Sequence, residues 1–141
     1  MIIKPHPNLF IYEDKKINEL RDKIKNVKML EKKYNYDVTK LSQVCDMAIC
    51  DISGSTYEFL ASNKPILFFD NKNIKEDQKY LFQAAEVLDV TDLSSLKKSV
   101  ELSLTTDPHR NTRLKLIEEA LYKVDGLTCT RIYERILKDF N

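Results

Sequence analysis

The segment Asp51-Ile52-Ser53-Gly54-Ser55-Thr56 follows a short apolar run and precedes a helical pattern. It supplies hydroxyls, a glycine that allows close backbone approach and, at a helix N-terminus, N–H groups without intrahelical acceptors. Such groups aimed at one spot bind anions. The same residues also read as local structure, with Ser55 and Glu58 as a capping box and Ser53-Gly54 as turn residues, and the two readings are compatible. A second polar segment, Lys4-Pro5-His6-Pro7, closes the first apolar run. Prolines on both sides confine His6 to extended backbone and hold its ring at a strand end. Lys4 and His6 together offer positive charge or donors to a phosphate. Late in the chain, Gly126 ends one helix, Thr128 can cap the next and Arg131 falls in its first turn. An arginine there opposes the helix dipole and calls for a compensating carboxylate or bound anion. His109, beside Arg110 in the first turn of a further helix, reads as solvated.

These groups need strands and helices to carry them, and the hydrophobic pattern predicts both. Short apolar runs at Met1–Lys4, Val27–Leu30, Met47–Asp51, Pro65–Phe69 and Glu86–Val90 read as strands. Helices are expected between them. Over Asp14–Asn26, the residues Ile17, Leu20, Ile24 and Val27 mark one buried face. Asp37 caps a helix reaching Cys45, another runs from Ser55 to about Ser62, and Gln78–Ala85 forms the next. Strand and helix alternating in this way imply right-handed crossovers and a mostly parallel sheet. The fold class expected is therefore α/β, a Rossmann-like three-layer α/β/α domain with about five strands.

After residue 90 the pattern becomes purely helical, over Leu93–Leu104, Pro108–Lys123 entered through Asp107, and Cys129–Phe140. Leu114, Ile117 and Leu121, then Ile132, Ile136 and Phe140, are expected to form buried stripes. The chain reads as a single domain over residues 1–141. The Asp70–Asp77 loop is its most solvated connection, at the strand edge where open α/β sheets bind ligands.

Composition narrows the chemistry further. The chain contains only two glycines, Gly54 and Gly126, which excludes a dinucleotide fingerprint and a P-loop, both of which need glycines at closer spacing. With 23 basic and 22 acidic side chains the net charge is +1, so no nucleic-acid partner is expected. At 43% hydrophobic and 32% charged, the composition suits a globular domain. No run is long enough for a membrane span or signal peptide, which reads as cytoplasmic. The three cysteines include no CxxC pair and are expected to be buried thiols, with no metal site and no cofactor.

Three separated segments resemble one family. Lys4-Pro5-His6-Pro7, the stretch Cys45–Phe59 followed by Lys64-Pro65-Ile66-Leu67-Phe68-Phe69, and Asp125-Gly126 with Arg131-Ile132 occur in the order and rough spacing of CDP-glycerol glycerophosphotransferases. These are bacterial enzymes of teichoic acid and related surface-polymer synthesis. The resemblance covers nearly the whole chain and implies the C-terminal, donor-nucleotide-binding half of a GT-B enzyme. It implies that His6, as the catalytic histidine, and the hydroxyls after Asp51, led by Ser53, line the donor diphosphate. Lys4, Asp51, Gly54, Ser55, Thr56 and Arg131 belong to the same implied donor site, and Glu58 would hold glycerol or ribose hydroxyls. The family usually has a second serine where this chain has Gly54. Ser55 or Thr56 would then supply that hydroxyl, and a nucleotide sugar becomes an alternative donor. The acceptor domain is expected from a longer chain or a partner chain, and any membrane contact would come through such parts.

Overall fold

The computed structural model describes residues 1–6, 9, 14–24, 26–31, 37–70 and 74–140. A strand forms at each expected segment, with β4 running one residue further to Asp70, but they pair as two small parallel sheets. In the first, β1 (Ile2–Ile3) lies beside β2 (Lys28–Met29), with Ile2 opposite Lys28 and Ile3 opposite Met29. The pairing is closed by Lys28 N–H to the Met1 carbonyl at 3.0 Å and Leu30 N–H to the Ile3 carbonyl at 2.9 Å. Between the two strands in sequence lies α1 (Asp14–Lys23). Of its expected buried stripe Ile17 is buried, but Leu20 is exposed.

The second sheet has the order β3-β4-β5, with β3 spanning Ala48–Cys50, β4 Ile66–Asp70 and β5 Glu86–Asp89. As the central strand, β4 is covered on both faces, which is why Ile66-Leu67-Phe68 forms an unbroken buried run. Three helical elements lie between or flank these strands: α2 (Val38–Val44), α3 (Gly54–Leu60) and a 3₁₀ helix over Glu76–Ala84. Phe59 and Leu60 from α3, Ile66 and Phe68 from β4, and Leu81, Ala84 and Ala85 form one core cluster with Leu116. The Phe68 and Phe82 rings meet with centroids 5.6 Å apart. As expected, Asp37 caps α2, its carboxylate accepting from Thr39 N–H at 2.8 Å. That N–H holds the Asp37 carboxyl below its ordinary pKa.

The helical region comprises α4 (Leu96–Thr105), α5 (Arg110–Leu121) and α6 (Thr128–Phe140). Its buried residues differ from those expected. On α5 the inward face carries Arg113 and Leu116, while Leu114 is exposed and Ile117 and Leu121 are half-buried. On α6, Ile132, Ile136 and Phe140 are all exposed, as is Cys129, expected to be buried. Cys45 and Cys50 are half-buried.

The reason for the rotation of α5 is polar. Arg113 is wholly buried, and its guanidinium donates to Asn63 Oδ1 (3.2 Å), the Asn63 carbonyl (3.0 Å) and both oxygens of Asp107. Asn63 and Asp107 adopt φ of 50° and 43°, left-handed conformations that Asn and Asp tolerate better than other side-chain-bearing residues. Asp107 is thus spent on Arg113 rather than acting as the helix cap, a position taken by His109. His109 is not solvated: Nδ1 lies 3.3 Å from the Gln83 carbonyl and Nε2 3.3 Å from Glu86 Oε1, tying α5 to the start of β5.

Candidate functional site

The hydroxyl-rich turn lies where the parallel pattern requires, at the carboxyl end of β3. Its register differs from the expected capping box. Ser53, extended at φ −155° and ψ 176°, is the N-cap of α3, and Thr56 occupies the third helical position expected for Glu58. Thr56 Oγ1 accepts Ser53 N–H at 3.2 Å and donates to the Asp51 carbonyl at 3.0 Å, while Thr56 N–H donates to the Ser53 carbonyl at 3.0 Å. With 1% of its surface exposed, Thr56 is an internal strut of the turn. A threonine suits this place because its methyl packs in the core while its hydroxyl closes the loop.

Around that strut the remaining groups are accessible. Ser53 and Ser55 are half-buried, and Asp51, Gly54 and Glu58 are exposed. A Cβ built on Gly54 would meet nothing within 4 Å, so the backbone there faces open space. The Cys50 thiol lies 4.0 Å from Thr56 Oγ1. Burial pushes its pKa up to about 11, which keeps it a neutral thiol rather than a nucleophile.

Lys4 and His6 stand beyond the carboxyl end of β1, in the other sheet, and both are exposed. The His6 carbonyl accepts Leu9 N–H at 2.9 Å. Pro7 lies outside the described residues, as do residues 71–73 of the Asp70–Asp77 loop.

Arg131 has the carboxylate partner that its place in a first helical turn calls for. Its Nη1 donates to both Asp125 oxygens, at 2.9 and 2.8 Å, and its Nη2 lies 3.3 Å from Thr128 Oγ1. Asp125 also accepts Leu127 N–H at 3.0 Å. That N–H and then Arg131 hold its carboxyl below the ordinary value. The Arg131 guanidinium stacks 5.7 Å from the Tyr122 ring centroid. Leu121, Tyr122, Ile132 and Ile136 join Arg131 and Arg135 around an open groove of about 380 Å³ between the end of α5 and α6.

No family model, curated protein or solved structure matches this chain. The site is therefore read from its own geometry. That geometry gathers Asp51, Ser53, Gly54, Ser55, Thr56 and Glu58 at the end of β3, places Lys4 and His6 beyond the end of β1 in the first sheet, and ties Arg131 to Asp125.

Two residues position these elements without being candidates for the site. Lys64 Nζ donates to the Ser42 and Cys45 carbonyls, each at 2.7 Å, and lies 3.3 Å from the Gln43 carbonyl. It thereby satisfies the C-terminal carbonyls of α2, where a cation also meets the favourable end of the helix dipole. Arg113 is the other. Its signal in the sequence was the pair of left-handed-tolerant residues, Asn63 and Asp107, that flank helices without a glycine.

Proposed function

We propose that this chain is the donor-nucleotide-binding part of a transferase of the CDP-glycerol glycerophosphotransferase type, acting in assembly of a bacterial surface polymer. The observation that carries the reading is the turn after β3. At the carboxyl edge of a parallel sheet, the half-buried Ser53 and Ser55 flank an open glycine at the start of α3. A diphosphate approaching the Gly54 backbone would meet hydroxyl and N–H donors with no side chain in its way. Thr56 holds that turn in shape from inside. Glu58, one turn on, faces the glycerol or ribose hydroxyls.

In this reading the two small sheets are portions of one Rossmann-like layer in the C-terminal half of a GT-B enzyme, and Lys4 and His6 approach the same diphosphate from β1. An acceptor hydroxyl attacks the β-phosphorus of the donor and CMP leaves. His6 and the N-terminus of α3 stabilise the charge that develops on the phosphates. The acceptor and the groups that activate it come from a further domain or a partner chain, so the isolated chain binds donor without turning it over. Among the described residues no helix is long and apolar enough to cross a membrane. Work at the inner face of the cell membrane would rest on those further parts.

Thermal unfolding in the presence of CDP-glycerol, CDP and a pyrimidine-nucleotide sugar tests the assignment. A ligand at 100 times its Kd stabilises by about 2.7 kcal/mol, a shift of several degrees for a domain of this size. Ser53→Ala and His6→Ala should each abolish the shift measured against the variant's own ligand-free midpoint, which loss of the N-cap lowers modestly in Ser53→Ala. The absence of any shift with all three compounds at millimolar concentration overturns the reading.

A further inference from the structure

We propose that two copies of this chain associate through α6, packed antiparallel about a two-fold axis. On this 13-residue helix the apolar residues are Cys129, Ile132, Tyr133, Ile136, Leu137 and Phe140, and all are exposed. Tyr133 is 62% exposed and Phe140 85%, with Ile132, Ile136 and Leu137 at 55%, 50% and 42%. The pattern that should have buried them is strong, yet nothing in the described chain covers them.

Their spacing says what does. The six stand at equal distances on either side of the junction between Glu134 and Arg135: Tyr133 with Ile136, Ile132 with Leu137, and Cys129 with Phe140. An antiparallel copy therefore brings an apolar residue level with an apolar residue along the whole helix. Cys129 and Phe140 share one level and Ile136 and Tyr133 another, a small side chain beside a large one each time. A parallel copy would stack Phe140 on Phe140 and Cys129 on Cys129. Surfaces that match themselves under a two-fold rotation form closed, isologous dimers.

The area fits a reversible dimer. An aromatic side chain has roughly 150–250 Å² to bury, so the five large residues offer on the order of 500 Å² a side, against roughly 800 Å² for a standard interface. Leu121 and Tyr122, which line the groove alongside Ile132 and Ile136, extend the strip. A lipid surface is a poorer match. The polar side of α6 carries Glu134 and Asp139 as well as its basic residues, and Arg131 and Arg135 are each paired, with Asp125 and Asp139. The inference does not depend on the donor reading.

Sedimentation of the 141-residue chain from about 1 to about 500 μM tests it, the range in which an interface of this small class dissociates. The expected result is a concentration-dependent monomer–dimer equilibrium, abolished by Ile136→Glu with no loss of helical content. Direction is read by oxidation. Phe140→Cys should form an interchain disulfide that Cys129→Ser abolishes. The unmodified chain should form none through Cys129, because the two Cys129 residues stand about 16 Å apart along the helix pair. A monomer at every concentration, a dimer that Ile136→Glu leaves intact, a Cys129–Cys129 bond in the unmodified chain, or binding of the monomer to anionic phosphatidylglycerol vesicles in place of dimerisation would each overturn the proposal.

Discussion

Cys50 and Thr56 share one turn, and their neighbourhood decides what each can do. The Thr56 hydroxyl is both donor and acceptor inside the loop, so its part is to hold the turn that carries Ser53 and Ser55. The Cys50 thiol is raised to about 11 by burial, from an ordinary 9.0, with the Thr56 hydroxyl partly offsetting this. The folded state therefore favours the protonated thiol. Its contribution to stability is complete below pH 9 and is lost as pH rises through about 11. Maleimide labelling at pH 8.5, at protein concentrations low enough for the chain to be monomeric, should modify exposed Cys129 readily while leaving Cys50 protected in the native state and reactive in urea. Rapid labelling of native Cys50 would contradict this environment.

At the scale of elements, α2 owes its place to a residue far along the chain. Lys64 precedes β4 and reaches back to the last carbonyls of α2, joining the helix to the strand that centres the sheet. Lys64→Met keeps the stem and removes the charged donors. It should cost about 1.5–3 kcal/mol in urea unfolding and speed amide exchange across Val38–Val44 more than elsewhere. Such long-range tethers explain which elements could be read from sequence. The strand segments were legible because each is an apolar run bounded by polar residues, and the cap at Asp37 because it acts within its own turn. The cap of α3 was displaced from Ser55 to Ser53 because Thr56 gains a buried place beside Cys50, which the Ser-x-x-Glu pattern does not record. The place of the hydroxyl-rich turn, the candidate site, after β3 was legible for the same local reason. The division of the strands into two sheets was not, since strand length and pairing partner are set by packing between distant segments.

For the whole molecule, Arg113 joins the helical region to the sheet region from a buried position, alongside His109 and Leu116. It bridges the turn after α3 and the entry to α5 through Asn63 and Asp107. Arg113→Ala leaves the Asp107 carboxylate without its partner and should cost about 3–5 kcal/mol, measured by denaturant titration. Arg113→Lys should recover only part of this, because an ammonium cannot span both partners in a planar fork. Asn63 and Arg113 are 50 residues apart, so the clasp closes one of the long loops of the chain. Closing such a loop is entropically costly until both ends are already structured, which places this contact late, after the barrier to folding. The clasp is then a lock on the way out rather than a guide on the way in. In stopped-flow mixing, Arg113→Ala should appear mainly as a faster unfolding limb, with the refolding rate nearly unaltered, so that Arg113 governs how long a folded molecule lasts more than how quickly it forms.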